Sequence, residues 1–453
     1  MAENRVVFVN PSYEYPVLKN AKFYYINKIW PPIDLANCAA LLEKEGFYVK
    51  IIDANAERLS PEEVSKQVKG FDKIFITSST LDRWQCPHPN IKPFLNCVDV
   101  IRKENPEAKI FVMGTHGTVK PKEILKLTKA TAVIRREPEL TVLEICKNDR
   151  LDRIKGITFY KSKKMISNPD RKGLDLNTLP VPAYHLLPLE KYFYEFLGGK
   201  FMLFEASRSC PFNCIFCLKK AYGSYRKKSS EKLIEEVKYA IENFGVKNAY
   251  FIDLEFTVNR KLVEELCDFL IQKKYDFKWC CQARFDTIDK RLLAKMKRAG
   301  CKLIHYGVES GSERIMKMIN KKITIEQIEK GMKITKEVGI PTTCFFMFGF
   351  PTETIEDMEK TIQLAIKLNP TFASFHIAIP YPDTVFYNML SSSFNEMFPS
   401  AYTGEHSEKE LKRIIKDAFK RYYFRPSYVI SRLVEGNYGM LLKQFKLFLS
   451  HIK

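Results

Sequence analysis

Two series of short apolar runs, each followed by a helical pattern, organise the chain. In the first series Val6-Val-Phe-Val-Asn10, Tyr48-Val-Lys-Ile-Ile52, Lys73-Ile-Phe-Ile-Thr-Ser-Ser79, Lys109-Ile-Phe-Val-Met-Gly114 and Ala132-Val-Ile134 have the length and uniform apolarity of buried strands. Between the first two, Ile33, Leu35, Ala36, Ala39, Ala40, Leu41 and Leu42 recur at helical spacing and stop at Gly46. Ser60-Pro-Glu-Glu63 opens another helix, with Ser60 as its cap and Pro61 in its first turn. Apolar strands alternating with helices predict a parallel sheet covered on both faces.

From Phe201 the alternation restarts. Strands are predicted over 201–206, 249–253, 277–282, 303–308, 343–348 and 372–378, with helical patterns between them such as 231–243 and 325–337. Six strand–helix units suit a partial (β/α)6 barrel of the TIM type, whose chemistry belongs at the carboxyl ends of its strands. The two series are joined by residues 149–199. These contain a small hairpin over 154–169 and the extended run Asp175-Leu-Asn-Thr-Leu-Pro-Val-Pro-Ala183, where each proline disfavours helix in the residue before it. The reading is therefore an α/β chain with a first domain over 1–148, a linker over 149–199, a barrel over 200–385 and a C-terminal helical region over 386–453. That last region is rich in Lys and Arg. One helix over 411–423 turns Ile414, Ile415, Ala418, Phe419 and Tyr422 inward, and a second presents Leu441, Leu442, Phe445, Phe448, Leu449 and Ile452 on one face. Basic amphipathic helices of this kind pack on a fold or lie on an anionic membrane surface.

Composition narrows the compartment and the partners. The 453 residues carry a formal charge of +20, mostly as lysine spread along the chain, which speaks to association and not to fold. No helix-turn-helix, zinc finger or aromatic–basic ribonucleoprotein motif accompanies the charge, so nucleic acid is not the expected partner. No charged-then-apolar leader precedes Val6, and no apolar run reaches the roughly 18 residues of a spanning helix. The expectation is a cytoplasmic protein, with scope for peripheral membrane contact, whose twelve cysteines are reduced thiols plus a metal site.

The candidate chemistry centres on Cys210-Pro-Phe-Asn-Cys214-Ile-Phe-Cys217. Three thiols this close, in a loop just after a strand, can turn toward one point, and thiolates are the ligands that iron–sulfur clusters take. Three ligands on a four-iron cluster leave one iron open for a small molecule. Polar residues also stand at successive barrel strand ends: Asp253-Leu-Glu255, Gln282-Ala-Arg284-Phe-Asp286, Gly307-Val-Glu309-Ser310-Gly311 and Gly349-Phe-Pro-Thr-Glu353. Arg284 has the fork to grip a carboxylate, Glu309 the acceptors for ribose hydroxyls, and Gly349 lets a ligand near the backbone. In the first domain the strand ends are small and polar: Ser78, Ser79, Thr80, and Gly114-Thr115-His116-Gly117-Thr118. His116 reads as a hydrogen-bonding residue in preference to a ligand. Cys280 and Cys281 alternate faces on their strand and read as packing.

The Cys-x3-Cys-x2-Cys spacing of Cys210, Cys214 and Cys217 resembles the signature of the radical S-adenosylmethionine (SAM) enzymes. The resemblance implies a [4Fe-4S] cluster on these cysteines, with SAM on the open iron cleaved to a 5′-deoxyadenosyl radical. It further implies SAM contacts at Glu309 and Ser310, Gln282 and Arg284, and Gly349. The first domain resembles the flavodoxin- or Rossmann-like cobalamin-binding domain found before many such barrels. The likeness rests on Pro31-Pro-Ile-Asp-Leu-Ala36, the turn from Gly114 to Thr118, and Arg136-Glu137-Pro-Glu139. Ser78, Ser79, Thr80, Gly114, Thr115, His116, Gly117 and Glu137 are then cobalamin contacts. The Asp-x-His-x-x-Gly motif of cobalt ligation is missing, and Arg136 stands where relatives more often have Gly. Together these resemblances imply a cobalamin-dependent enzyme that methylates an unactivated carbon, or one that cyclises, rearranges or couples its substrate. They leave the substrate open among lipid, peptide, tetrapyrrole and small natural product, and call for a one-electron reductant such as ferredoxin or flavodoxin.

Overall fold

The computed structural model describes residues 5–13, 28–79, 90–148, 150–390, 394 and 396–434. Thr80 and the predicted helix over 441–452 lie outside them. The chain divides into two compact units: 1–211 with 218–256 and 261–279, and 212–217 with 257–260 and 280–453.

The first unit holds a seven-stranded sheet. Its strands are β1 (Arg5–Asn10), β2 (Tyr48–Asp53), β3 (Lys73–Thr77), β4 (Lys109–Met113), β5 (Ala132–Ile134), β6 (Ile157–Lys161) and β7 (Lys164–Ser167), in the order β2-β1-β3-β4-β5-β6-β7. The first five are parallel, and the connector hairpin adds β6 and β7 antiparallel at one edge. Val7, Phe8, Ile74, Phe75, Ile110 and Val112 are all fully buried, so neighbouring residues on both faces lie in core. This is why the strands read as continuous apolar runs without alternation. Ser60 and Glu63 close the expected capping box at the start of Pro61–Gln67. The chain steps from β1 to one side and then to the other, which puts the topological switch at the carboxyl ends of β1 and β3.

The same unit contains β8 (Phe201–Phe204) and β9 (Asn248–Phe251), paired in parallel. Trp30 packs against Tyr194, Phe201 and Tyr250, and Tyr184 meets Phe204 and Phe244 edge-on. These rings join the connector to the start of the second sheet. That sheet continues through β10 (Lys278–Ala283), which runs from the first unit into the second, to β11 (Cys301–Glu309), β12 (Thr342–Phe348) and β13 (Phe372–Ile377), in the order β8-β9-β10-β11-β12-β13. Consecutive order with helices between strands is the barrel-type winding that the periodicity predicts.

In the second unit the basic helix Glu408–Tyr423 buries Leu411, Ala418 and Tyr422. Tyr423 Oη donates to Ala373 O at 2.8 Å, Phe419 meets Phe375 edge-on, and Arg421 pairs with Glu359 at 2.6 Å. Its apolar face is thus spent on β13 and the helix Ile355–Leu368. No helix among the described residues is long and apolar enough to cross a membrane.

Candidate functional site

At the switch point of the first sheet, buried polar groups bond mainly to one another. Asn10 ends β1 and donates to Asp53 at 2.8 Å, and Tyr192 Oη donates to the same carboxyl at 2.8 Å. Burial pushes Asp53 up to about 6, while these donors and the amides of Ala56 and Asn55 hold it down. Ser78 Oγ lies 3.0 Å from Nδ1 of His116, and both residues are fully buried. His116 is therefore held as a hydrogen-bonding residue. Ser79 is half-buried and its carbonyl accepts from Thr77 Oγ1. Gly114 has φ +105°, a left-handed turn that favours glycine, and opens the short helix Thr115–Val119. The Thr115 hydroxyl meets Tyr222 Oη. Gly117 serves packing: a Cβ there would sit 2.6 Å from Val133 Cγ1.

Glu137 belongs to a different arrangement from these strand ends. It bonds Arg226 Nη1 at 2.9 Å and the amide of Leu174, and lies 3.4 Å from Arg208. Arg208 also bonds Glu139 at 2.6 Å and Glu205 at 2.9 Å. Burial alone would discharge Arg208, but Glu139, Glu205 and Glu137 together hold it protonated. This network ties the start of the helix Glu139–Lys147 to the segment just before the cysteine loop. A cavity of about 460 Å³ opens beside it, lined by Arg136, Glu137, residues 170–174, Tyr222 and Arg226. Asp253 receives the amide of Ala206 at 3.0 Å and the hydroxyl of Ser207, and burial pushes it up to about 7.

The cysteine loop starts in the first unit and continues in the second. Ser209 is left-handed at φ +65° and donates to Gly223 O at 2.9 Å; Lys219 Nζ donates to Cys210 O. In the second unit Cys217 N donates to Cys214 O at 3.3 Å, which closes a turn. The amide of Ile215 donates to Ile319 O, Asn320 Nδ2 donates to Asn213 O at 2.8 Å, and Phe216 packs on Phe350. Among the described residues no three His, Cys, Asp or Glu side chains converge on a single ion. Accessibility separates the three thiols from the rest. Cys210, Cys214 and Cys217 are half-buried, and every other described cysteine is buried. Burial pushes the Cys97 and Cys146 thiols up to about 12 and Cys38 and Cys280 higher still. A set of three soft, accessible thiols in one loop fits a cluster, and the remaining described thiols are core residues.

The remaining candidates lie in the second unit. Glu309 ends β11 at φ +72°, where β11 and β12 slip register, and its carboxylate accepts from Lys321 Nζ at 2.8 Å. Gly307 makes room: a Cβ would sit 2.3 Å from Glu309 Oε1 and 2.9 Å from Lys321 Nζ. Ser310 is buried, with its hydroxyl 3.2 Å from that of Thr361. Arg284 grips Asp286 through Nε and Nη2, donates to Lys321 O at 3.0 Å, and lies 3.8 Å over the Phe212 ring. Its fork thus holds the cysteine loop and the turn at Lys321. Gln282 is half-buried on β10. Gly349 is left-handed at φ +91°, and its amide and that of Phe350 both donate to Glu353, which burial pushes up to about 7. Lys321 is an addition to the residues singled out in the sequence. Lys321 comes from a turn with no periodicity, and its only signal is Asn320 just past a helix end.

Two family models match the chain. Residues 25–145 match the B12 binding domain and residues 204–365 the radical SAM superfamily. An uncharacterized methyltransferase of Pyrococcus horikoshii is 30% identical over 434 residues, covering 91% of this chain and 92% of its own length. The anaerobic magnesium-protoporphyrin IX monomethyl ester cyclase of Rubrivivax gelatinosus is 26% identical over 391 residues, covering 83% and 68%. Among solved structures, the radical SAM methyltransferase TsrM from Kitasatospora setae, with cobalamin and a [4Fe-4S] cluster bound, superposes with a TM-score of 0.69 at 15% identity, covering 86% of this chain and 75% of that one. Two domain models in this order, over a switch-point sheet and a barrel-type sheet whose first strand is followed by three accessible cysteines, place the chain in one family: it belongs to the B12-binding radical SAM enzymes.

Proposed function

We propose that the protein is a cobalamin-dependent methyltransferase acting on an unactivated carbon. The observation that carries this reading is the P. horikoshii relative, a methyltransferase by name that matches nearly end to end. Cys210, Cys214 and Cys217 would hold the cluster; Ser78, Ser79, Gly114 and Thr115 would line the cobalamin side; Glu309, Gln282 and Gly349 would meet SAM. When bound, these groups supply the electron, the hydrogen-abstracting radical and the methyl group. The chain's own residues bind and orient. Arg284 and Ser310 act by positioning, since their polar atoms already hold Asp286, Lys321 O and the Thr361 hydroxyl. Asp53 and His116 keep the first crevice polar. Ferredoxin or flavodoxin supplies the electron.

The Rubrivivax relative supports a second reading, cyclisation of a substrate such as a tetrapyrrole without methyl transfer. One experiment separates the two. Anaerobically reconstituted protein, given cobalamin, reductant, SAM carrying a deuterated methyl group and a candidate substrate, should form both 5′-deoxyadenosine and S-adenosylhomocysteine, with the label in the product. Formation of 5′-deoxyadenosine alone with an unlabelled product would replace methylation by the cyclase reading.

A further inference from the structure

Lys321 is 6% exposed, in a chain whose lysines are mostly solvated. Burying an ammonium is costly unless a partner and further hydrogen bonds offset the lost water. Its partner is Glu309 at 2.8 Å, and both side chains are under 10% exposed. The backbone of the lysine is held as firmly as its head. Its amide donates to Met316 O, its carbonyl accepts from Arg284, and it sits between two left-handed residues, Asn320 at φ +55° and Lys322 at φ +52°. Single left-handed residues other than glycine cost on the order of 1 kcal/mol each and persist where the surroundings impose them.

The same turn is stitched to the cysteine loop on both sides of Cys214. Asn320 bonds the carbonyl of Asn213, and Ile319 receives the amide of Ile215. Burial works to discharge Lys321, but Glu309 and the Cys214 sulfur more than offset it and hold the ammonium protonated. Gly307 leaves bare the floor on which the pair rests. The cation thus pairs with the Glu309 carboxylate, in a turn whose neighbouring residues bond the chain on both sides of Cys214.

We infer that Lys321 is a positioning residue of this site, whose ammonium aims the Glu309 carboxylate and offsets negative charge at the Cys214 sulfur. This rests on the cluster reading proposed above. Without the cation, Glu309 is left to face the cluster's thiolate unscreened, so adding an electron to the cluster becomes harder. Without Glu309, the cation acts on the sulfur alone and reduction becomes easier. The two substitutions therefore shift the cluster's midpoint potential in opposite directions, which loss of packing would not do.

The test uses the reconstituted full chain. Iron content and cluster absorbance are measured first, then the midpoint potential by anaerobic dye titration, then SAM affinity by calorimetry. K321M is expected to bind a full complement of iron, to shift the potential negative, and to lose about tenfold or more in SAM affinity, the value of one charge-assisted hydrogen bond. K321R should restore both. E309Q should shift the potential positive. A full complement of iron in K321M with unchanged potential and unchanged SAM affinity would overturn the inference. Should K321M not fold, the absence of a positive shift in E309Q overturns it instead. Failure of the wild-type chain to take up iron would sink the cluster reading itself.

Discussion

Both units gather polar residues at the ends of parallel strands, and they do so with opposite electrostatics. In the first, the neutral donors Asn10 and Tyr192 hold a single carboxyl, Asp53, pushed up to about 6, and Ser78 bonds His116 beside it. In the second, Glu309 with Lys321 and Arg284 with Asp286 are full ion pairs. An ion-paired site is already compensated, and exchanges partners most readily with a ligand carrying both signs of charge. The first arrangement suits a corrin rimmed by amides, the second an amino acid such as the methionine end of SAM.

The contrast can be broken at several points. The largest effect is expected in the loop: alanine at Cys210, Cys214 or Cys217 should abolish cluster iron and the formation of 5′-deoxyadenosine, checked by iron and sulfide analysis and by chromatography of the nucleoside. Next is the ionic side. E309Q strands a buried ammonium and should cost about 3–5 kcal/mol, read from urea unfolding of the metal-free chain. Overpacking comes third and falls on both sides alike. G307A drives a methyl into the Glu309–Lys321 pair and G117A drives one into Val133, each for about 1–3 kcal/mol. On the side without ion pairs at its strand ends S78A removes one bond to His116 and should cost only about 1 kcal/mol. A ratio of E309Q to S78A near one would erase the distinction drawn here.

The smallest effect is on pH dependence. Asp53 at about 6, and Asp253 and Glu353 at about 7, lie above their unfolded values near 4. Between these limits the unfolded chain has released protons that the folded chain still holds. Stability from these groups therefore falls as pH rises from about 4 to about 7 and is flat beyond. D53N should flatten the part of that decline below pH 6, measured as melting temperature against pH.

Much of this was visible in the residue pattern. Strands buried on both faces announce themselves as apolar runs, and the Cys210 to Cys217 loop and the strand-end acids stand where the chain must turn. What the pattern could not carry is pairing over distance. Arg226 reaches Glu137 across 89 residues, Tyr192 reaches Asp53 across 139, and neither spacing leaves a period to read. The ion network that binds Glu137, read in the sequence as a ligand contact, was therefore not legible, nor were the bonds of Arg284 to Asp286 and Lys321 O. Gly307 stood out as a strand-end glycine, yet only the geometry of Lys321 explains why a side chain is excluded there.

The unequal accessibility of the thiols bears on handling in air. Among the described cysteines, oxygen that destroys the cluster meets accessible thiols at Cys210, Cys214 and Cys217, while the others are shielded by burial. Thiol oxidation among the described residues should then fall first on that loop, and mild reductant followed by iron and sulfide should return the aerated chain to its loaded form without refolding.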